Sequence, residues 1–361
     1  MKIIRSRLKT KFGSLAMAAV AACSMSLYSA APAPRIAGSG FGGASPYATD
    51  AYPGFDGLDD LKTPEKREKS WFLGVSRDTP SAQWAYVQEM EAAGEYRAAR
   101  RGCDALVREW PSSPEAPKAQ LRLADIWVKY YQDWEEAFEA LDYMLNFYSG
   151  YANYLELVER QYEYTNKIVE ERKSFLGFAI VSTRVIRQHY EAIVRRAPGA
   201  SYVPEAMLKI ADLREKDYQY EEAVQVYGAL MAKYPVTAAA KTAVYRQAKA
   251  RMWLARRLAY NTPRCLDTLN YLKMMIVKHP DLPEIEEMKK WESELSAYLE
   301  KDAYEEALFY DSKQRTRHAS IAAWKRYLEE HPNSVHAEEI KARIANLEAA
   351  AAKAASPSKE Q

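Results

Sequence analysis

The residues of this chain best suited to hold a metal or act as nucleophiles are five histidines and three cysteines. Their spacing favours neither role. None of His189, His279, His318, His331 and His336 falls in a His-Glu-x-x-His pattern, which would put two imidazoles on one helix face around a zinc ion. His331 and His336 flank a Pro332-Asn333 turn, which reads as a helix stop rather than a ligand pair. No Gly-x-Ser-x-Gly elbow, phosphate loop or dinucleotide loop occurs. The acidic pairs Glu135-Glu136, Glu221-Glu222 and Glu305-Glu306 read as first-turn helix residues favoured by the helix dipole, not as acid/base dyads. Cys103 and Cys265 sit where apolar residues belong and read as buried free thiols rather than a disulfide. The expectation is therefore no catalytic, metal or cofactor site, and no enzyme.

What remains is the chemistry of binding. Arg184, Arg187, Arg195 and Arg196 form one basic run, and Arg246, Lys249, Arg251, Arg256 and Arg257 form another. A run of like charge on a helix is by default a solvated face. The second run also encloses Trp253, and Trp with Arg is the usual composition of an interface anchor. Arg246, Lys249, Trp253, Arg256 and Arg257 are thus the candidate partner-binding residues. Arg can make two parallel hydrogen bonds to the carboxylates of an acidic partner domain.

The elements that must carry these residues are read from a pattern that recurs six times. Its clearest copy is Tyr220, Ala223, Tyr227, Leu230, Tyr234, Pro235. Offsets of 3, 7, 10 and 14 keep five side chains on one face of a helix, and the Pro stops it. Further copies begin at Tyr96 (ending Trp110-Pro111), Trp134 (ending Tyr148-Ser149) and Thr183 (ending Ala197-Pro198). The last two begin at Cys265 (ending His279-Pro280) and Arg317 (ending His331-Pro332). Such repetition predicts an all-α, tetratricopeptide-type α-solenoid of about five to six helix pairs, an architecture that usually binds rather than transforms. The terminating positions lie 37 to 52 residues apart, longer than the 34 of a standard tetratricopeptide repeat, so several helices must be extended. Residues 152–196 predict one or two long helices, 237–260 another and 283–310 a third. Folded structure is expected to begin at Thr79-Pro80, with Pro in the first helical position.

Ahead of the repeats, Lys2, Arg5, Arg7, Lys9 and Lys11 precede an apolar stretch from Phe12 to Ala22 that is too short to span a bilayer. This predicts an export signal over 1–22. Val20-Ala21-Ala22-Cys23 resembles a bacterial lipobox, with Cys23 as the lipid attachment site, and Ser24 after it resembles an outer-membrane sorting position. Two acyl chains suffice for stable anchoring, since each buried methylene contributes about 0.8 kcal/mol. Without the five basic residues of the signal, 46 basic residues face 49 acidic ones, a net charge of −3, and the motive for binding nucleic acid is gone. Residues 23–78, rich in Ala, Gly, Ser and Pro and then mildly acidic, predict a lipid-anchored flexible linker that docks at Trp71-Phe72-Leu73. The repeat domain is expected over 79–347 and a disordered tail over 348–361.

Signal, lipobox, tether and repeats together resemble the BamD-like (YfiO-like) lipoproteins of the outer-membrane β-barrel assembly machinery. The resemblance covers roughly residues 84–347. It rests on Gly94-Glu95-Tyr96-x-x-Ala99 with Leu106 and Trp110-Pro111-Ser112-Ser113, on Tyr202 through Ala206, and on Tyr218 to Pro235. It also rests on Tyr304 to Tyr310, Ala322-Ala323 and His331-Pro332-Asn333-Ser334. The family's five repeats contrast with six frames here. The resemblance implies a scaffold on the periplasmic face of the outer membrane. Its implied partners are the barrel-insertion protein with its periplasmic modules, other assembly lipoproteins, unfolded outer-membrane proteins and, through the lipid, the membrane. The alternative reading is a periplasmic tetratricopeptide adaptor in envelope constriction or peptidoglycan synthesis. An envelope enzyme on a helical platform would need a lysozyme-like domain for which no residues are left over.

Overall fold

The computed structural model describes residues 74–171, 174–175, 178–179, 182–257, 261–312 and 317–355. The export signal, Cys23, Trp71-Phe72-Leu73 and all but the last residues of the linker lie outside them. Six helix pairs follow one another. They are α1 (Pro80–Ala92) with α2 (Tyr96–Glu109), α3 (Ala116–Ile126) with α4 (Trp134–Phe147), and α5 (Tyr154–Glu170) with α6 (Thr183–Arg196). The others are α7 (Val203–Lys216) with α8 (Tyr220–Lys233), α9 (Ala238–Arg257) with α10 (Thr262–Lys278), and α11 (Ile285–Ser312) with α12 (Arg317–Glu330). A final helix, α13 (Ala337–Ala355), covers the last pair. Each helix packs on the next, and α9 also touches α7 and α11, so consecutive first helices lie side by side. This is an all-α solenoid of the tetratricopeptide type.

The recurring frame is the second helix of every pair. Its inward residues are the core: Ala99, Cys103 and Leu106; Ala137, Leu141 and Met144; Ile186, Tyr190 and Ile193; and Ala223, Tyr227 and Leu230 are all fully buried. Thr268, Leu272 and Met275, and Ser320, Trp324 and Tyr327, continue the stripe in the last two pairs. Cys103 and Cys265 are buried free thiols, as their frame positions implied. The last residue of the frame ends the helix with one shared geometry. At Trp110, Tyr148, Ala197, Tyr234 and His279, φ lies between −126° and −134° and the N–H reaches the carbonyl four residues back. An aromatic there has a further use. Tyr148 Oη donates to the carbonyl of Pro111 at 2.7 Å, and Tyr234 Oη to that of Pro198 at 2.5 Å, so the end of one repeat is tied to the end of the one before.

A second set of ties was not read from the sequence. Gln83, Gln120, Gln161 and Gln247, buried on four first helices, each donate Nε2 to a backbone carbonyl of a neighbouring second helix (Gly102, Ala140, Phe138 and Val224). A helical carbonyl has a second lone pair, so the glutamine satisfies itself without breaking the helix ladder. Gln83 Oε1 also accepts from the N–H groups of Ser76 and Arg77, fixing the chain as it arrives at α1. The helix begins where expected: Thr79 Oγ1 caps Ala82 N–H and Pro80 is the first helical residue.

The 152–196 segment, expected as one or two long helices, is two, and a short antiparallel pair, β1 (Ser174–Phe175) and β2 (Phe178–Ala179), lies between them. Two expectations need correction. Glu305-Glu306 does not start a helix but lies well inside α11, because no Gly or Pro interrupts 285–312. Glu306 pairs with Arg326 on α12 instead. The chain also does not leave the helical state at 348. Its Ala-rich end has high helix propensity, and α13 runs on to Ala355.

Two predictions follow from the packing. A Cβ placed on Gly102 would meet Val87 Cγ2 at 2.7 Å, and Val is stiff. Gly102→Ala should therefore destabilise the fold by about 1–3 kcal/mol, where an uncrowded helical Gly→Ala would stabilise it by up to about 1 kcal/mol. A denaturant midpoint decides the sign. His189 is buried, stacked on Phe138 at 3.7 Å, with its Nδ1 unpartnered and Glu139 at 3.9 Å from Nε2. Burial pushes its pKa down to about 4, against the opposing charge of Asp142. The unfolded chain thus binds the extra proton first. Stability is intact above pH ~6.5 and declines toward pH ~4, by roughly 2–3 kcal/mol. The difference in unfolding free energy between wild type and His189→Phe, measured at pH 7 and pH 4.5, should change by that amount.

Candidate functional site

The candidate site is a cleft of about 450 Å³ between α7 and α9, closed at one end by the start of α8. Two acids in its lining are held from behind by one tyrosine. Tyr227 lies on the buried stripe of α8, and its hydroxyl reaches Asp212 Oδ1 at 2.8 Å and Glu215 Oε1 at 3.0 Å, both on α7. One proton serves two acceptors, so the two acids are held side by side. Burial, and then the neighbouring Asp212, raise the Glu215 pKa, while burial and both carboxylates push the Tyr227 hydroxyl well above its ordinary range. The Arg246 guanidinium approaches Asp212 at 3.9 Å.

The wall is aromatic. Tyr220, first residue of α8, stacks on Trp253 of α9 with ring centroids 3.8 Å apart, and Arg257 sits 5.0 Å from the Trp253 ring. The mouth is cationic. Lys216 and Lys249 both line it, both are exposed, and among the described residues neither has an acidic partner within 4 Å. A smaller cleft of about 320 Å³ on the α8 and α10 side makes the contrast. There Arg251 pairs with Asp267 and Arg264 with Glu221, and the charges are already satisfied.

Of the five residues picked from the sequence, Arg246, Lys249 and Trp253 come together in the cleft, and Arg257 lies against its tryptophan. Arg256 points elsewhere: its guanidinium makes two bonds, 2.9 and 2.8 Å, to Glu294 of α11. The first basic run is no free solvated face either. Arg196 bonds Asp142, Gln161 and Asn146, and Arg187 bonds Asp217 and Gln219. These are ties between repeats. The acids, Lys216 and the aromatic turn of the cleft were missed. The one sequence signal for them was Tyr218, a bulky residue two positions before the frame where the first repeat has Gly94. Among the described residues no group of three or more metal-ligating side chains converges, and no helix is long and apolar enough to cross a membrane.

This geometry defines a repeat solenoid with a charged, aromatic cleft between consecutive first helices. No family model matches the chain. No curated protein matches it. Among solved structures it is similar to an assembly chaperone of RpL4, Acl4 (residues 1–338), at 15% identity over 64% of this chain and 87% of that one, with a TM-score of 0.28. A tetratricopeptide repeat protein from Parabacteroides merdae is similar at 15% identity, over 74% and 98%, with a TM-score of 0.27. The C-terminal part of a repeat-containing protein from Cytophaga hutchinsonii gives 12%, 73%, 88% and 0.27. At such scores these likenesses add nothing to the architecture, which stands on the frame and its packing.

Because one hydroxyl holds both lining acids, Tyr227→Phe should cost about 1–2 kcal/mol, leaving two partly buried carboxylates facing each other without a shared donor. Thermal unfolding at pH 7 measures this.

Proposed function

We propose that this chain is a non-enzymatic scaffold of the outer-membrane β-barrel assembly machinery. In this reading Cys23 carries the lipid that anchors it to the periplasmic face of the outer membrane, and the linker lets the solenoid reach its partners. The solenoid holds the barrel-insertion protein through that protein's periplasmic modules, sits beside other assembly lipoproteins, and helps receive unfolded outer-membrane proteins. The observation that carries the binding part is the cleft, where Arg246, Lys249 and Trp253 converge with cations left unpaired at the mouth. Most other arginines of the solenoid are spent on internal ties, so a cationic mouth of this kind suits an acidic partner surface. The sequence resemblance supports the choice of machinery.

The test is in-cell crosslinking of the tagged full chain, followed by pull-down from detergent-solubilised envelope and mass spectrometry. The expected result is recovery of a barrel protein with repeated periplasmic modules, reduced several-fold by Lys249→Glu. Recovery of division or peptidoglycan-synthesis proteins instead would move the function to an envelope adaptor.

A further inference from the structure

The turn between α7 and α8 holds a residue that the fold alone does not call for. In the first, second and fourth pairs the residue two positions before the frame lies in the left-handed region: Gly94 at φ +80°, Gln132 at +52° and Tyr218 at +60°. The turn requires that conformation, and glycine meets it without strain. A tyrosine there costs about 1 kcal/mol or more, and bulky residues in this region are rare. Packing does not recover the cost. Tyr218 is 76% exposed, and its ring meets only the edge of Tyr220 at 6.5 Å. The turn is nonetheless held firmly. Arg187 of α6 bonds both flanking side chains, Asp217 at 3.0 Å and Gln219 at 3.1 Å, while Arg214 is tied to Glu191. Residues held in sparsely populated backbone conformations cluster at functional sites, which makes this turn a candidate for one. It presents an aromatic ring beside the cleft, next to the Tyr220–Trp253 stack.

The charges around it point to one kind of ligand. Asp212 and Glu215 each accept from the Tyr227 hydroxyl, and the Arg246 guanidinium stands 3.9 Å from Asp212. Lys216, in the last turn of α7 two residues before Tyr218, and Lys249 across the cleft are exposed cations with no ion pair within 4 Å among the described residues. We propose that this cleft is a binding site for an extended, internal acidic–aromatic segment of a partner chain. Its carboxylates lie between Lys216 and Lys249, backed by Arg246, and its aromatic ring packs on Tyr218. The inference rests on reading this face as the partner-binding surface, but not on which envelope protein the partner is. Peptide binding can fail while envelope capture succeeds, and the reverse, so the two readings are tested separately.

The experiment titrates the full chain in detergent into a short fluorescein-labelled peptide, acetylated and amidated, with the core Gly-Ser-Asp-Phe-Asp-Gly-Ser, followed by anisotropy. Two control peptides carry Lys for both Asp residues or Ala for Phe. The Asp-Phe-Asp peptide should bind at least about tenfold more tightly than the Lys control and about fivefold more tightly than the Ala control, with affinity falling as salt is raised. Lys249→Glu should weaken binding about five- to tenfold. Tyr218→Gly is the decisive variant: it should weaken binding about fivefold while the melting temperature holds or rises, because the turn is relieved of strain. A purely structural tyrosine would show the opposite pattern. Equal affinity for all three peptides, or unchanged binding by Tyr218→Gly, overturns the proposal.

Discussion

No helix pair of this chain can bury its own apolar stripe; the stripe is covered only when the next pair docks. Everything else depends on that constraint. It is why Leu141 and Met144 of α4, or Tyr227 and Leu230 of α8, are fully buried between successive helices. It also explains why the array needs α13, a helix without a partner in sequence, to cover the last pair through Ile340 and Ile344. The small second residue of the frame (Ala99, Ala137 and Ala223) lets neighbouring helices approach closely, so a side chain added nearby has little room. Stability in such an array is a chain of interfaces, and the polar ties act at those interfaces. The glutamine bonds join first helices to second helices, and the Tyr–Pro bonds join one repeat's end to the previous one.

The same constraint creates the cleft. The first helices α7 and α9 lie side by side and leave a space between them that their own side chains do not fill. What lines that space is set by two chemistries that conflict in one small volume. The partly buried acids of α7 need a donor and find it in Tyr227; Lys216 of α7 and Lys249 of α9 have no ion pair within 4 Å among the described residues. Arginines such as Arg187, Arg196 and Arg256 instead meet acids on neighbouring elements. The cleft is distinct because exposed cations, a stacked aromatic pair and two partly buried acids share one space.

The turn at Tyr218 belongs to the same logic. A two-helix repeat needs one left-handed residue to reverse direction tightly, and the sequence places glycine there only once among the described examples. At Tyr218 the turn is fixed from outside, through Arg187. A conformation that is costly in isolation becomes tolerable when neighbouring repeats hold both flanks.

Much of the fold was legible from periodicity. Apolar residues at offsets of 3, 7 and 10, followed by an aromatic and Pro, mark a helix face and its stop, and these are local properties that survive into the structure. They determined the six second helices, the buried thiols and the capping of α1. Trp253 with Arg246 and Lys249 was also legible, as residues of one helix face. What the sequence could not specify was pairing across helices. Whether Arg256 faces a cleft or Glu294, and whether Arg187 is solvated or clamps a turn, depends on which surfaces meet far apart in the chain. The tie behind the cleft's acids, a single hydroxyl between two carboxylates on another helix, is likewise a product of docking. Local periodicity decided the helices; only the tertiary structure decided which charges are spent inside the solenoid and which remain at its surface.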